Sequence, residues 1–160
     1  MAVRLTADMK RVVTEQRLAF VATVCPDGTP NLSPKGTIAV WGDDQLVFAD
    51  IRSPATIANI RKNPAVELNV VDPFARKGYR FKGMGAVIEE GELFQEIMRF
   101  YRGRLVDTAR SKAELPIRAF LLVKVETALP LVSPAYDDAS SDEQSIRKHW
   151  ISYFAGLNER

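Results

Sequence analysis

The chain has 160 residues, 46% apolar and 26% charged, the composition of an ordinary globular protein able to bury a core without covalent staples. Its 22 basic and 20 acidic residues leave a net charge of +2, which excludes a whole-molecule field for gathering nucleic acid. One cysteine and one histidine exclude an internal disulfide and a His/Cys structural zinc site, and no metal is expected.

Thr6 can cap a first helix whose apolar face carries Met9, Val12 and Val13 at helical spacing. From Leu18 the pattern changes to Leu-Ala-Phe-Val-Ala-Thr-Val, a β-rich run that ends at the turn signal Pro26-Asp27-Gly28. Cys25, in an apolar run just before that turn, reads as a buried structural cysteine. Residues 31–41 read as the return strand. Pro34 and Gly36 interrupt it early, and neither suits a central strand, so an edge or a bulge is expected there. Gly42-Asp43-Asp44 makes the next turn, and a third strand follows at 45–49.

Arg52-Ser53-Pro54 then opens a helix that closes at Asn63-Pro64, with Ile57 and Ile60 facing inward. Ser53 is a good N-cap type, and Pro54 is tolerated at the first helical position. A fourth strand at 65–71 leads into the basic loop 72–78 and a long fifth strand at 79–89. A helix over 92–104 presents Leu93, Ile97 and Phe100 on one face, and Pro116 precedes a sixth strand at 117–125. A polar stretch at 137–143 leads to a last amphipathic helix with Ile146, Trp150, Ile151 and Phe154. The expected architecture is mainly β: a closed antiparallel barrel with peripheral helices, in one domain over 1–160, with the barrel at about 18–126 and a helical tail at about 137–157. No stretch reads as a signal peptide or a bilayer span, so a cytoplasmic protein without a membrane partner is expected.

Three basic elements point to a phosphate. The helix that starts at Ser53 aims free N–H groups and the positive end of its dipole toward the preceding strand, and Arg52 stands beside them. Lys35 lies between Pro34 and Gly36, where a glycine lets a backbone approach a ligand. Arg80 and Lys82 share one strand face. Taken singly, each has a plainer reading as a solvated or edge-protecting charge. The run 76–82 interleaves aromatics with cations, a pattern that suits single-stranded nucleic acid, but the near-neutral net charge argues against that partner. Glu89, Glu90 and Glu92 are read as a helix start, and no catalytic side chain is assigned. Trp150 and Tyr153 either pack on the core or stack on a flat ligand.

The first helix, the Leu-Ala-Phe-Val-Ala-Thr-Val strand, Pro-Asp-Gly-Thr-Pro, Ser-Pro-Lys-Gly, the segment from Arg52 to Val66 and the Lys82-Gly83 pair together resemble the pyridoxamine 5′-phosphate oxidase-related split-barrel flavoproteins. The resemblance implies a six-stranded antiparallel Greek-key split barrel. It also implies a homodimer formed through the sheet, with FMN in two clefts at the interface. On this basis Ser33, Pro34, Lys35, Gly36 and Thr37 would line the flavin and its ribityl chain, with Phe48, Ala49, Asp50, Ile51 and Arg52 running beside it. Ser53 and Thr56 would hold the phosphate, Lys82 would reach the phosphate or the ring, and Trp150 would stack on the cofactor. The chemistry would be oxidoreduction of a small-molecule substrate or electron donor carried by the flavin, which accounts for the lack of catalytic side chains. Two departures stand out: Ala55 occupies a place where many members have a basic residue, and the tail lacks the segment with which the true oxidase grips the vitamin phosphate. The resemblance therefore implies an FMN-binding relative and not that oxidase itself. A non-enzymatic FMN carrier, or a barrel for haem or a deazaflavin, is the alternative.

Overall fold

Closure of the sheet follows from one short connection. In the computed structural model, which describes residues 3–105 and 116–157, seven antiparallel strands run in the order β2-β1-β5-β6-β7-β4-β3. They are β1 (Ala19–Val24), β2 (Pro30–Lys35), β3 (Ala39–Trp41), β4 (Gln45–Asp50), β5 (Ala65–Asp72), β6 (Lys77–Ile88) and β7 (Ala119–Val132). β2 and β3 stand at opposite ends of that order, yet only 36–38 connect them. A flat sheet of this size would set its edges roughly 29 Å apart, whereas the connection reaches about 14 Å at most. The sheet must therefore curl on itself into a split barrel.

The return strand expected at 31–41 is thus two strands, and the barrel has seven strands where six were expected. Gly36 and Thr37 form a turn, and the chain leaves β1 to start a new pairing with β4. The last strand is also longer than the expected 117–125. β4 pairs with β7 only as far as Lys124, so Pro130 lies where β7 is bonded to β6 alone, and its missing N–H breaks no ladder there. Between Lys82 and Gly83 the β6–β7 register shifts by a bulge. Gly83 is required there, because a Cβ would run into the Lys124 carbonyl.

Four helices decorate the barrel: α1 (Ala7–Gln16), α2 (Pro54–Lys62), α3 (Gly91–Leu105) and α4 (Glu143–Leu157). Val12 and Val13 of α1 and Ile57 and Ile60 of α2 close the main core, with Val21, Phe48, Leu68, Phe81 and Leu121 from the strands. α3 covers a second cluster built on Val47, Phe120, Ile97 and Tyr101. α4 packs less closely: only Ile146 is buried, while Ile151 and Phe154 are 49% and 40% exposed, so the apolar face expected for this helix is largely open. Among the described residues, no helix is long and apolar enough to cross a membrane.

Candidate functional site

The inner face of β2 carries Asn31, Ser33 and Lys35 in alternation, and α2 lies against it. Lys35 is only 6% exposed. Its Nζ donates to Ser33 Oγ at 2.5 Å and to Ser53 Oγ at 2.8 Å, and Ser33 Oγ lies 3.4 Å from Thr56 Oγ1. Burial pushes the Lys35 ammonium below the usual lysine range, and the negative charge of Asp50 opposes that shift. Among the described residues no carboxylate forms an ion pair with Lys35 or with the exposed Arg52.

The start of α2 departs from expectation. Ser53 occupies the N-cap position but makes no side-chain capping bond, because its hydroxyl is engaged by Lys35. Asp50 takes over part of that work: its Oδ1 accepts from the Ser53 N–H at 2.8 Å. The helix therefore opens with first-turn N–H groups that Ser53 does not cap, next to a buried ammonium and three hydroxyls. This is the setting of an anion site.

The other residues singled out by sequence fall in several places. Thr37 is engaged structurally: its Oγ1 accepts from the Ala49 N–H at 3.0 Å, so the β2–β3 turn is tied to β4. Phe48 and Ala49 are core residues, Ile51 packs against the second cluster, and Pro34 and Gly36 are exposed. Lys82 stands on the outer face of the sheet, away from the Lys35 cluster, paired with Glu67 at 3.3 Å beside Arg80 at 3.0 Å. There it borders a groove of about 410 Å³ with Ala22, Val24, Pro30 and Met84. That groove is open and mostly apolar, and its cation is already paired; the Lys35 cluster has the stronger claim on an anion. Trp150 lies under the Arg76 guanidinium, 3.5 Å from its ring centroid, and Arg76 belongs to the β5–β6 hairpin.

The basic run 76–82 is partly compensated within the chain. Arg76 stacks on Trp150, Lys77 pairs with Glu143 at 3.2 Å, and Arg80 and Lys82 share Glu67. Cys25 is half-buried, not fully buried as expected, because it sits at the turn; its Sγ is 3.5 Å from Asn59 Nδ2. Sequence reasoning missed Tyr101, which is 1% exposed and donates toward the Thr37 and Val47 carbonyls at 2.5 and 3.0 Å. Burial raises its phenol well above the usual tyrosine range. Its position four residues after Ile97, on the buried face of α3, was the available signal.

The family model described as pyridoxamine 5′-phosphate oxidase matches residues 5–131, which include the whole anion cluster and all seven strands but the last residue of β7. The chain belongs to this family. An uncharacterized protein of Methanocaldococcus jannaschii is 32% identical over 92 residues, a match covering 56% of this chain and 60% of that protein. The chain thus matches less than two thirds of that relative's length. Among solved structures, HupZ of Group A Streptococcus superposes with a TM-score of 0.69 at 29% identity, covering 81% of this chain and 95% of that one. An FMN-binding protein from Syntrophomonas wolfei gives 0.64 at 19% identity, covering 78% and 84%, and shares the fold. In this chain the Lys35 cluster lies on the segment running from the Ser-Pro-Lys-Gly motif to α2, inside the matched range.

Proposed function

We propose that this chain is a cytoplasmic, homodimeric FMN-binding flavoprotein that oxidises or reduces a small-molecule substrate, with the FMN phosphate held at the start of α2. The observation that carries this reading is the Lys35 ammonium, 6% exposed and, among the described residues, partnered only by the hydroxyls of Ser33 and Ser53. An ammonium has three donors, and two are engaged here, which leaves one for an anion. Because Ser33 and Ser53 accept from Lys35, their own hydroxyl hydrogens point elsewhere and can serve the same anion. Thr56 and the open N–H groups of the α2 first turn complete the cradle, and Arg52 supplies the charge that Ala55 does not. The donor set fits a phosphate monoester.

When bound, FMN would supply the electron transfer, which this chain's own side chains cannot perform. The chain binds and orients it, and the cationic cluster favours negative charge nearby. Support for a homodimer comes from the outer face of the sheet, where Phe20, Leu32, Met84 and Leu129 are 48%, 64%, 42% and 47% exposed on four different strands. An apolar face of this kind marks an interaction surface. The single unpaired cysteine suits the reducing cytoplasm. The tail departs in sequence from the segment with which the true oxidase grips the vitamin phosphate, which favours a different substrate.

The test is an absorption spectrum of the protein after incubation with FMN and desalting, followed by FMN titration. Retained two-banded flavin absorbance is expected. Lys35→Ala combined with Arg52→Ala should weaken FMN binding by about tenfold or more, since charge-assisted bonds to the phosphate are lost. Unchanged affinity would overturn the phosphate assignment. Multiple turnovers with a nicotinamide donor identify an enzyme, whereas reduction without turnover identifies an electron carrier.

A further inference from the structure

A carboxylate beside a phosphate cradle is an electrostatic cost that needs a reason. Asp50 is 6% exposed at the end of β4, and it is the residue whose charge acts on Lys35. Its Oδ1 holds the Ser53 N–H at 2.8 Å, which secures the first turn of α2 and leaves the Ser53 hydroxyl to Lys35. We propose that Asp50 is a positioning residue of the anion site and not a ligand contact: it anchors Ser53, which in turn holds the Lys35 ammonium, and so places a buried carboxylate beside the cradle before the anion arrives. The proposal rests on the phosphate reading of the cluster given above.

The groups packed around Lys35 are few. β2 presents Ser33 and α2 presents Ser53 and Thr56, none of which titrates near lysine. β4 presents Asp50, which lines a cavity with Arg61, Glu89 and Arg118, and Arg52 is exposed. Burial favours loss of the Lys35 proton, and the Asp50 charge works against that loss. As pH rises and Lys35 becomes neutral, the site loses a positive charge and a donor, so phosphate affinity falls. Replacing Asp50 by Asn keeps an oxygen for the Ser53 N–H but removes the negative charge. Lys35 then loses its proton at a lower pH, and the alkaline limit of binding moves down with it.

Two measurements on the full chain test this. In the first, lysine carrying ¹³C at Cε is titrated by NMR without FMN, the Lys35 signal being assigned by its loss in Lys35→Met. The midpoint should fall by about one pH unit or more in Asp50→Asn. Coincident midpoints overturn the proposal. Because no flavin is present, a chain that binds no FMN would defeat the functional reading and leave this result standing.

In the second, FMN and riboflavin affinities are followed from neutral to alkaline pH. For the wild type, FMN affinity should fall as pH passes the Lys35 midpoint, while riboflavin, with the same ring and no phosphate, should show no such limb. Asp50→Asn should shift the FMN limb downward and leave riboflavin unchanged. Equal loss of both ligands at every pH marks a merely structural residue and overturns the proposal. A flat wild-type FMN profile does the same, and that arm needs no folded variant.

Discussion

Ser53 and Asp50 have exchanged the work their positions suggest: the serine serves the buried lysine, and the aspartate three residues earlier holds the serine's N–H. Their variants should therefore differ in what they remove. Ser53→Ala removes no capping bond but takes an acceptor from the buried Lys35 ammonium, so urea unfolding should register a loss of about 1–2 kcal/mol while FMN affinity falls. Asp50→Ala deletes an acceptor from a buried N–H and should cost about 1–2 kcal/mol in the same assay. Lys35 stood out in the sequence, because Pro34 and Gly36 flank it in a run that reads as a strand. The role of Asp50 did not: an aspartate at a strand end before a Ser-Pro helix start has no local signature, and the partner that matters lies fifteen residues upstream on another strand.

The helices and most of the strands were recognisable from their own periodicity, but their neighbours were not. The α3 helix illustrates this. Its apolar spacing predicted a buried face, yet the Tyr101 hydroxyl ties together two chain segments more than fifty residues away. Tyr101→Phe should lower stability by about 1–2 kcal/mol in denaturant unfolding, since it leaves the Thr37 carbonyl without this buried donor. The α4 helix is held by polar contacts more than by apolar burial: Arg147 to Asp72 at 2.8 Å, Glu143 to Lys77, and Trp150 under Arg76. Burial raises the Asp72 carboxyl, but the N–H groups of Ala75 and Phe74 and the Arg147 guanidinium outweigh it, and the net shift is downward. A carboxylate depressed in the folded state contributes stability above its unfolded pKa, and that stability is lost as pH falls through the folded one. Asp72→Asn should thus increase hydrogen exchange in α4 at neutral pH, and the difference from wild type should shrink below about pH 4.

For the molecule as a whole, one short connection decides the architecture, and one apolar face is the candidate surface for the proposed assembly. The link 36–38 joins strands at opposite ends of the sheet order and forces closure, while Phe20, Leu32, Met84 and Leu129 leave the outer face uncovered. Phe20→Asp should convert a dimer to monomers in light scattering after size exclusion and lower FMN affinity with it, if the cofactor clefts lie between subunits. An unchanged mass would place the contact elsewhere. The sequence by itself determined the element types, the turns at Pro26-Asp27-Gly28 and Gly42-Asp43-Asp44, and the start of α2, because these depend on local periodicity and backbone preference. Only the tertiary structure decided that residues 31–41 split into two strands, that Lys35 is buried against α2 while Lys82 faces outward on Glu67, and that the cations of the run 76–82 find partners within the chain. Those outcomes depend on which distant segments meet. Burial and pairing across the barrel, not the residue types themselves, turn one lysine into a candidate phosphate ligand and the other into half of a surface ion pair.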